Sequence, residues 1–202
     1  TCCQIDLEAL FKDGFSTGHG YLREPNHIQS YAALACIAIQ SNQNDQHGGQ
    51  SVPNFDYGLA IGVEKTYKKL YASNMAKAVN LLSDKMITEN DIKLALKEIE
   101  EKNGLYPKIK ISPEYLTKEE EILAPYFSSQ DEYKKAREFA CKSALSETDR
   151  ATFQAMEALI HNLNTMHSRA GAQTPFSSIN YGTDTSEEGR MIIKNILLAT
   201  EA

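Results

Sequence analysis

The sequence predicts a helix-rich α/β protein. Two long stretches, 56–82 and 134–166, carry apolar residues at helical spacing. Three short stretches, 1–7, 51–54 and 174–181, have strand character and lie between helical ones. The succession of strand, helix, strand, long helices, strand and helix is an α/β alternation with unusually much helix. Two or three short strands cannot close a barrel by themselves. They are expected to belong to a larger sheet whose other strands lie outside this chain.

Each element has a local reason. Thr1 to Leu7 is expected as a strand, and Leu7 to Phe11 as one helical turn stopped by Asp13-Gly14. Residues 14–26 are rich in Gly and polar groups and predict a loop. Pro25 suits a first helical turn, and Ile28, Tyr31, Ala32, Ala35 and Ile39 follow at helical spacing. That helix ends in the polar run Ser41 to Gln46, and His47-Gly48-Gly49-Gln50 forms a turn. Pro53 confines the next strand to an edge or an end. Leu59, Val63, Tyr67 and Leu70 mark one face of the helix over 56–82.

Residues 84–135 differ in composition and are highly charged, which predicts an insertion or surface excursion within a single domain. Leu94 and Ile99 predict a weakly amphipathic helix there, Lys108 to Ile111 an exposed strand, and Glu119-Glu120-Glu121 a solvated face or helix start. Over 134–166, Phe153, Met156, Ile160 and Leu163 form one stripe, with a local break or cap expected near 146–149. Thr174 to Tyr181 predicts a strand. Thr185 stands three residues before Glu188, a helix N-cap signal, and a helix over 188–200 follows.

Composition narrows the function classes. The chain has 202 residues, 21 Lys plus Arg against 27 Asp plus Glu, and a net charge of −6. This balance speaks against a dedicated nucleic-acid surface, which needs clustered Lys and Arg. Apolar residues are 42% and charged residues 24%, the composition of an ordinary globular domain. No stretch approaches the roughly 18 uninterrupted apolar residues of a membrane helix. The chain opens on Thr-Cys-Cys and stops inside an apolar periodic run, so it is expected to be a segment of something longer. The four cysteines, Cys2, Cys3, Cys36 and Cys141, include no Cys-x-x-Cys pair, and a reducing cytoplasm is the natural compartment. Cys36 and Cys141 fit helical apolar patterns as small buried residues.

Most catalytic motifs are absent. There is no Walker A loop and no His-Glu-x-x-His. Gly18-His19-Gly20 lacks the rest of a dinucleotide fingerprint. His161 and His167 do not share a helical face cleanly and are expected as satisfied polar side chains. Three features remain: Cys2-Cys3 on a strand, the turn 46–50, and the segment Met166 to Phe176. Neighbours in a strand point to opposite faces, so the two thiols have different environments. The other two features place Gly, Ser, Thr and amide groups where backbone can approach a ligand. Each alone is an ordinary loop. Together with a strand thiol they point to one end of a sheet lined for a polar, phosphorylated ligand.

These residues carry a resemblance. Cys2-x-x-Ile5-Asp6-Leu7, with Gly14-Phe15 following, resembles the first barrel strand of the anaerobic (class III) ribonucleoside-triphosphate reductases. His47-Gly48-Gly49 resembles that family's Gly-Gly turn. Asn164-x-x-His167, then Gly171-x-Gln173-Thr174-Pro175-Phe176, resembles its next strand, and Glu188-x-Arg190 continues the match. The resemblance runs over most of the chain and is least diagnostic over about 84–135.

The resemblance implies part of a ten-stranded α/β barrel of the glycyl-radical type. It implies conversion of ribonucleoside triphosphates to deoxyribonucleoside triphosphates by glycyl and thiyl radical chemistry in the parent enzyme. By motif position the first-strand thiol of the family matches Cys2, and Cys3 stands where a plain apolar residue sits. Gly48, Gly49, Gln50, His167, Ser168, Gln173, Thr174, Ser177 and Ser178 become candidate substrate contacts. The thiyl cysteine, the glycyl radical and the zinc cysteines of the family have no match in this chain, so the segment alone is expected to be inactive and to hold no cofactor. A radical-SAM iron–sulfur activase, nucleotide effectors and a second copy of the chain are the implied partners, with no nucleic acid and no membrane. The competing reading is a non-catalytic helical module for dimerisation or nucleotide-effector binding.

Overall fold

The computed structural model describes residues 2–18, 20–46, 48–83, 86–167 and 174–201. It divides into two compact units. One comprises 1–65 and 149–202, the other 66–148.

The first unit holds the sheet. β1 (Cys3–Gln4) is shorter than the sequence suggests because Asp6 starts a helix. Its carboxylate accepts the N–H groups of Glu8 at 3.1 Å and Ala9 at 3.2 Å and caps α1 (Leu7–Asp13). Gly14 ends α1 at φ 73°, and a Cβ there would stand 2.4 Å from the Leu22 carbonyl oxygen. The segment expected as a plain loop contains a two-stranded antiparallel ribbon, β2 (Phe15–Ser16) with β3 (Tyr21–Leu22). α2 (Ile28–Asp45) is capped by the His27 ring, which accepts from the Ser30 N–H at 3.3 Å.

β4 (Gln50–Val52) stops at Pro53, as expected, and α3 (Phe55–Leu82) follows. β5 (Ser177–Ile179) pairs parallel with β4, and β4 pairs parallel with β1, giving the order β1-β4-β5. α7 (Glu187–Glu201) closes the unit. Its first turn is capped by Ser186, whose Oγ accepts the Gly189 N–H at 3.0 Å, and not by Thr185. Ser186 takes the role because it is the last residue before the helix.

Leu7, Phe11, Ile28, Tyr31, Ile39, Val52, Phe55, Leu59, Val63, Met156 and Ile192 form the core of this unit, all 2% exposed or less. Each such side chain contributes about 1.5–3 kcal/mol relative to exposure. The Phe11 and Tyr31 rings meet edge to face at 5.1 Å. Gly58 permits close approach, since a Cβ there would lie 2.7 Å from Leu7 Cβ.

The second unit is helical. It takes the C-terminal part of α3 and the N-terminal part of α6 (Gln130–Thr165), with α4 (Glu89–Asn103), α5 (Pro113–Leu123) and a single 3-10 turn over Ala124–Tyr126. Thr88 and Asp91 make a reciprocal capping box on α4, and Gly104 ends it in the left-handed region at φ 68°. Tyr71, Met75, Val79, Ile92, Leu96, Ile99, Leu123, Ala136, Ala140 and Ala144 fill its core. The charge sits outside, in pairs such as Lys93–Glu89 and Lys97–Glu101. Such exposed pairs contribute little.

Three expectations change here. Residues 108–111 form no strand; Ile109 and Ile111 instead pack on the helical core. Residues 146–149 do not break α6, because Ala144 and Thr148 are fully buried and packing overrides the local cap signal. Glu119 is not solvated; it is fully buried. No helix among the described residues is long and apolar enough to cross a membrane.

Candidate functional site

The site is built where three strands begin. The Cys3 N–H donates to the Gly49 carbonyl at 3.0 Å, and the Gln50 N–H donates to the Phe176 carbonyl at 2.8 Å. Cys3 stands opposite Gln50, and Gln50 opposite Ser177. The start of β1, the glycine turn and the segment entering β5 are therefore adjacent.

The sheet has two unlike faces. Register partners in a parallel sheet share a face, and successive residues alternate. Cys3, Gln50 and Ser177 lie on one face with Ile5, Val52 and Ile179, and the members of this set are buried or half-buried. Gln4, Ser51 and Ser178 lie on the other face, with Gln4 and Ser178 exposed. Alternation continued outward from β1 and β5 puts Cys2 and Phe176 on this second face. Both are exposed, Phe176 to 80%. The open face is thus polar, with one thiol and one aromatic ring.

The predicted site residues divide along this line. Cys2 and Ser178 belong to the open face. Gly48 is exposed at φ 117°, and Gly49 is half-buried against the Phe176 ring. A Cβ at Gly49 would lie 3.2 Å from a ring carbon of Phe176. Gln50 is buried, and its side chain braces the turn: Nε2 donates to the Gly48 carbonyl at 3.2 Å, and Oε1 accepts from Asn42. Ser177 shares the covered face with Gln50. Thr174 is exposed, and its carbonyl accepts from Gln43 Nε2 at 3.3 Å. His167 is exposed, two residues past the end of α6. Ser168 and Gln173 lie outside the described residues, as do His47 and Gly171 of the sequence motifs.

Sequence reading missed Gln4 and Ser51, which share the open face. The signal was available as the i, i+2 alternation running from Cys2 and from Gly49. It also missed an open cleft of about 380 Å³ on the helix side, lined by Cys3, Asp6, Phe15, Ala38, Asn42 and Asp45.

The far ends of β4 and β5 are tied by Asp56. Its fully buried carboxylate accepts the N–H groups of Gly182 at 2.8 Å, Thr183 at 3.1 Å and Asp184 at 3.0 Å through Oδ2, and that of Tyr57 at 3.1 Å through Oδ1. Burial alone raises the carboxyl, and these donors outweigh it and hold it below the usual range. The four thiols are free. Burial pushes the Cys36 thiol up to about 11 and raises Cys141 as well, so neither is a ready thiolate. Among the described residues no group of three or more His, Cys, Asp or Glu is placed to hold a metal ion.

The chain has known relatives. The family model described as anaerobic ribonucleoside-triphosphate reductase matches residues 1–202. The chain is 32% identical over 196 residues to the anaerobic ribonucleoside-triphosphate reductase of Salmonella typhimurium, which covers 97% of this chain and 19% of that protein. It is 24% identical over 196 residues to the enzyme of that name from Enterobacteria phage T4, covering 97% of this chain and 23% of that protein. The chain thus spans about a fifth of the length of these relatives. A match over its whole length means that the chain belongs to the anaerobic ribonucleoside-triphosphate reductase family.

Proposed function

We propose that this chain supplies one wall of the active site in an enzyme that reduces ribonucleoside triphosphates to deoxyribonucleoside triphosphates. The observation that carries this reading is the open polar sheet face, on which Cys2 stands beside the glycine turn and the start of β5. Family membership supports the reaction, and strand alternation supports Cys2 over Cys3 as the reacting thiol.

In this reading the three strands are part of the ten-stranded α/β barrel, and their open face looks into it. The stretch 84–135 is an insertion within this single catalytic fragment. The glycyl radical, generated by a radical-SAM activase, supplies the initiating one-electron chemistry from another part of the full-length enzyme. Cys2 supplies one of the two reducing equivalents and the family's thiyl cysteine, from another part of the full-length enzyme, the other; each gives up its S–H hydrogen and the two sulfurs join in a disulfide. The amides of Gly48 and Gly49 approach the substrate's phosphate or ribose oxygens closely because no Cβ intervenes. Ser178, Thr174, Ser168, Gln173 and His167 provide further polar contacts. Gln50 and Ser177, on the covered face, act by holding the turn and the strand that carry these groups. The proposed zinc lies outside this chain, whose described residues do not fit it. Nucleotide effectors and a second copy of the chain complete the proposed partners, and the compartment is the cytoplasm.

The test is reductase turnover of the full-length enzyme with Cys2→Ser and, separately, Cys3→Ser. Cys2→Ser is expected to lower turnover by about a thousandfold or more, as loss of a reacting group does. Cys3→Ser is expected to retain most of it. Full turnover in Cys2→Ser overturns the reading.

A further inference from the structure

Unit 66–148 encloses a group that the proposed chemistry does not use. Glu119 of α5 is fully buried. Three tyrosine hydroxyls donate to its carboxylate: Tyr71 of α3 to Oε1 at 2.7 Å, Tyr115 of α5 to Oε1 at 3.0 Å, and Tyr133 of α6 to Oε2 at 2.9 Å. Tyr71, Tyr115 and Tyr133 are themselves 1% exposed or less. Other charged or titratable groups around this cluster are Arg137 and Cys141 of α6 and Tyr67 of α3, and Tyr126 of the 3-10 turn packs on the same core. From α4 the same core receives Ile92, Leu96 and Ile99, which are apolar.

Two opposed forces act on this carboxyl. The hydrogen-bond geometry suits the anion. Three donors meet an acceptor with four lone-pair sites, and each donor belongs to a buried tyrosine. Desolvation suits the neutral acid. Protonation turns Glu119 into a donor, so one tyrosine oxygen must accept from it and the cage loses a charge-assisted bond. A group held between these two requirements responds to pH by changing the bonds that join three helices.

We propose that Glu119 and its three tyrosines form a proton-operated latch that sets how readily α5 opens from α3 and α6 within this unit. The direction follows from the balance. Burial raises the Glu119 carboxyl above its ordinary range, and the three tyrosines and Arg137 offset this only in part. Burial and the facing Glu119 raise the hydroxyls of Tyr71, Tyr115 and Tyr133, so they remain donors throughout. A carboxyl raised in the folded state contributes stability that is complete below its unfolded value and is lost as pH rises through its folded value. The latch is closed in acid and loosens towards neutral and alkaline pH.

Amide hydrogen exchange along α5 of the full-length protein tests this between pH 5 and 8, after correction for the intrinsic pH dependence of exchange. In the wild type the opening constant is expected to rise by up to about tenfold per pH unit within the titration window. In Glu119→Gln it is expected to be flat. Should Glu119→Gln fail to fold, Tyr115→Phe removes one donor to the anion and keeps the carboxyl, so its rise begins at the same pH as in the wild type and is expected to extend to higher pH. A wild-type opening constant independent of pH overturns the proposal. So does a rise that persists in Glu119→Gln, or one that ends at the same or a lower pH in Tyr115→Phe than in the wild type.

Discussion

The Cys3 N–H meets the Gly49 carbonyl at 3.0 Å, which binds the thiol strand to the glycine turn through backbone alone. No side chain is needed for this link, so the residues flanking it are free to differ in chemistry. Cys3 faces the helices and Cys2 faces the open side. Adjacent residues of one type are thereby given separate surroundings by pleat geometry.

That separation predicts thiol reactivity. In the folded protein a water-soluble disulfide reagent is expected to modify Cys2 first and Cys36 last. Cys2 is exposed, whereas Cys36 is 2% exposed with its thiol pushed up to about 11. Peptide mass mapping over time checks the order. Cys36 reacting as fast as Cys2 without denaturant contradicts it.

Gly58→Ala is expected to destabilise the unit that holds the sheet. The added carbon would stand 2.7 Å from Leu7 Cβ, close to the backbone of a helix that cannot retreat as a flexible side-chain tip can. The cost is about 1–3 kcal/mol, read from the urea midpoint of unfolding.

Asp56 makes stability depend on pH in the opposite sense to Glu119. Its folded-state carboxyl is depressed by its four backbone donors. The stability it contributes is present above the ordinary Asp range and is lost as pH falls through the depressed folded value. Asp56→Asn is expected to cost about 1–3 kcal/mol at neutral pH and to flatten the acid limb of the stability curve. Thermal melts from pH 3 to 7 measure both effects.

Thr88→Ala removes half of a reciprocal cap on α4. The Asp91 N–H loses the Thr88 hydroxyl at 3.2 Å but keeps the Thr88 carbonyl at 3.1 Å, and Asp91 Oδ2 loses the Thr88 hydroxyl at 2.6 Å but keeps the Thr88 N–H at 2.9 Å. A loss of about 1 kcal/mol is expected. Hydrogen exchange in the first turn of α4 rises more than at its centre if the cap acts locally.

Much of the fold is legible in single segments. The helical stripe through Leu59, Val63 and Tyr67 predicts α3, and Pro53 stops β4 where expected. Asp13-Gly14 ends α1 because only glycine accepts that backbone conformation readily. Such signals act within about one helical turn, and no distant contact overrides them here. Where distant contacts do compete, the local signal loses. Ser146 and Asp149 offered a break in α6, but burial of Ala144 and Thr148 holds the helix straight through. Ile109 and Ile111 alternate like strand residues, yet they have no strand to pair with and are taken up by the helical core.

The site divides in the same way. The sequence by itself determined the family, the thiol pair, the glycine turn and the Thr-Pro-Phe segment, because each is a contiguous run whose chemistry is visible in its own residues. Tertiary structure alone decided that Cys3, Gln50 and Ser177 share the covered face while Gln4, Ser51 and Ser178 share the open one. It alone decided that Glu119, in a run of three glutamates, is the one enclosed by tyrosines from three helices. The reason is physical. A helix end is set by neighbours in the chain, whereas a strand register or a buried carboxylate is set by partners tens of residues away, which meet only when the chain folds.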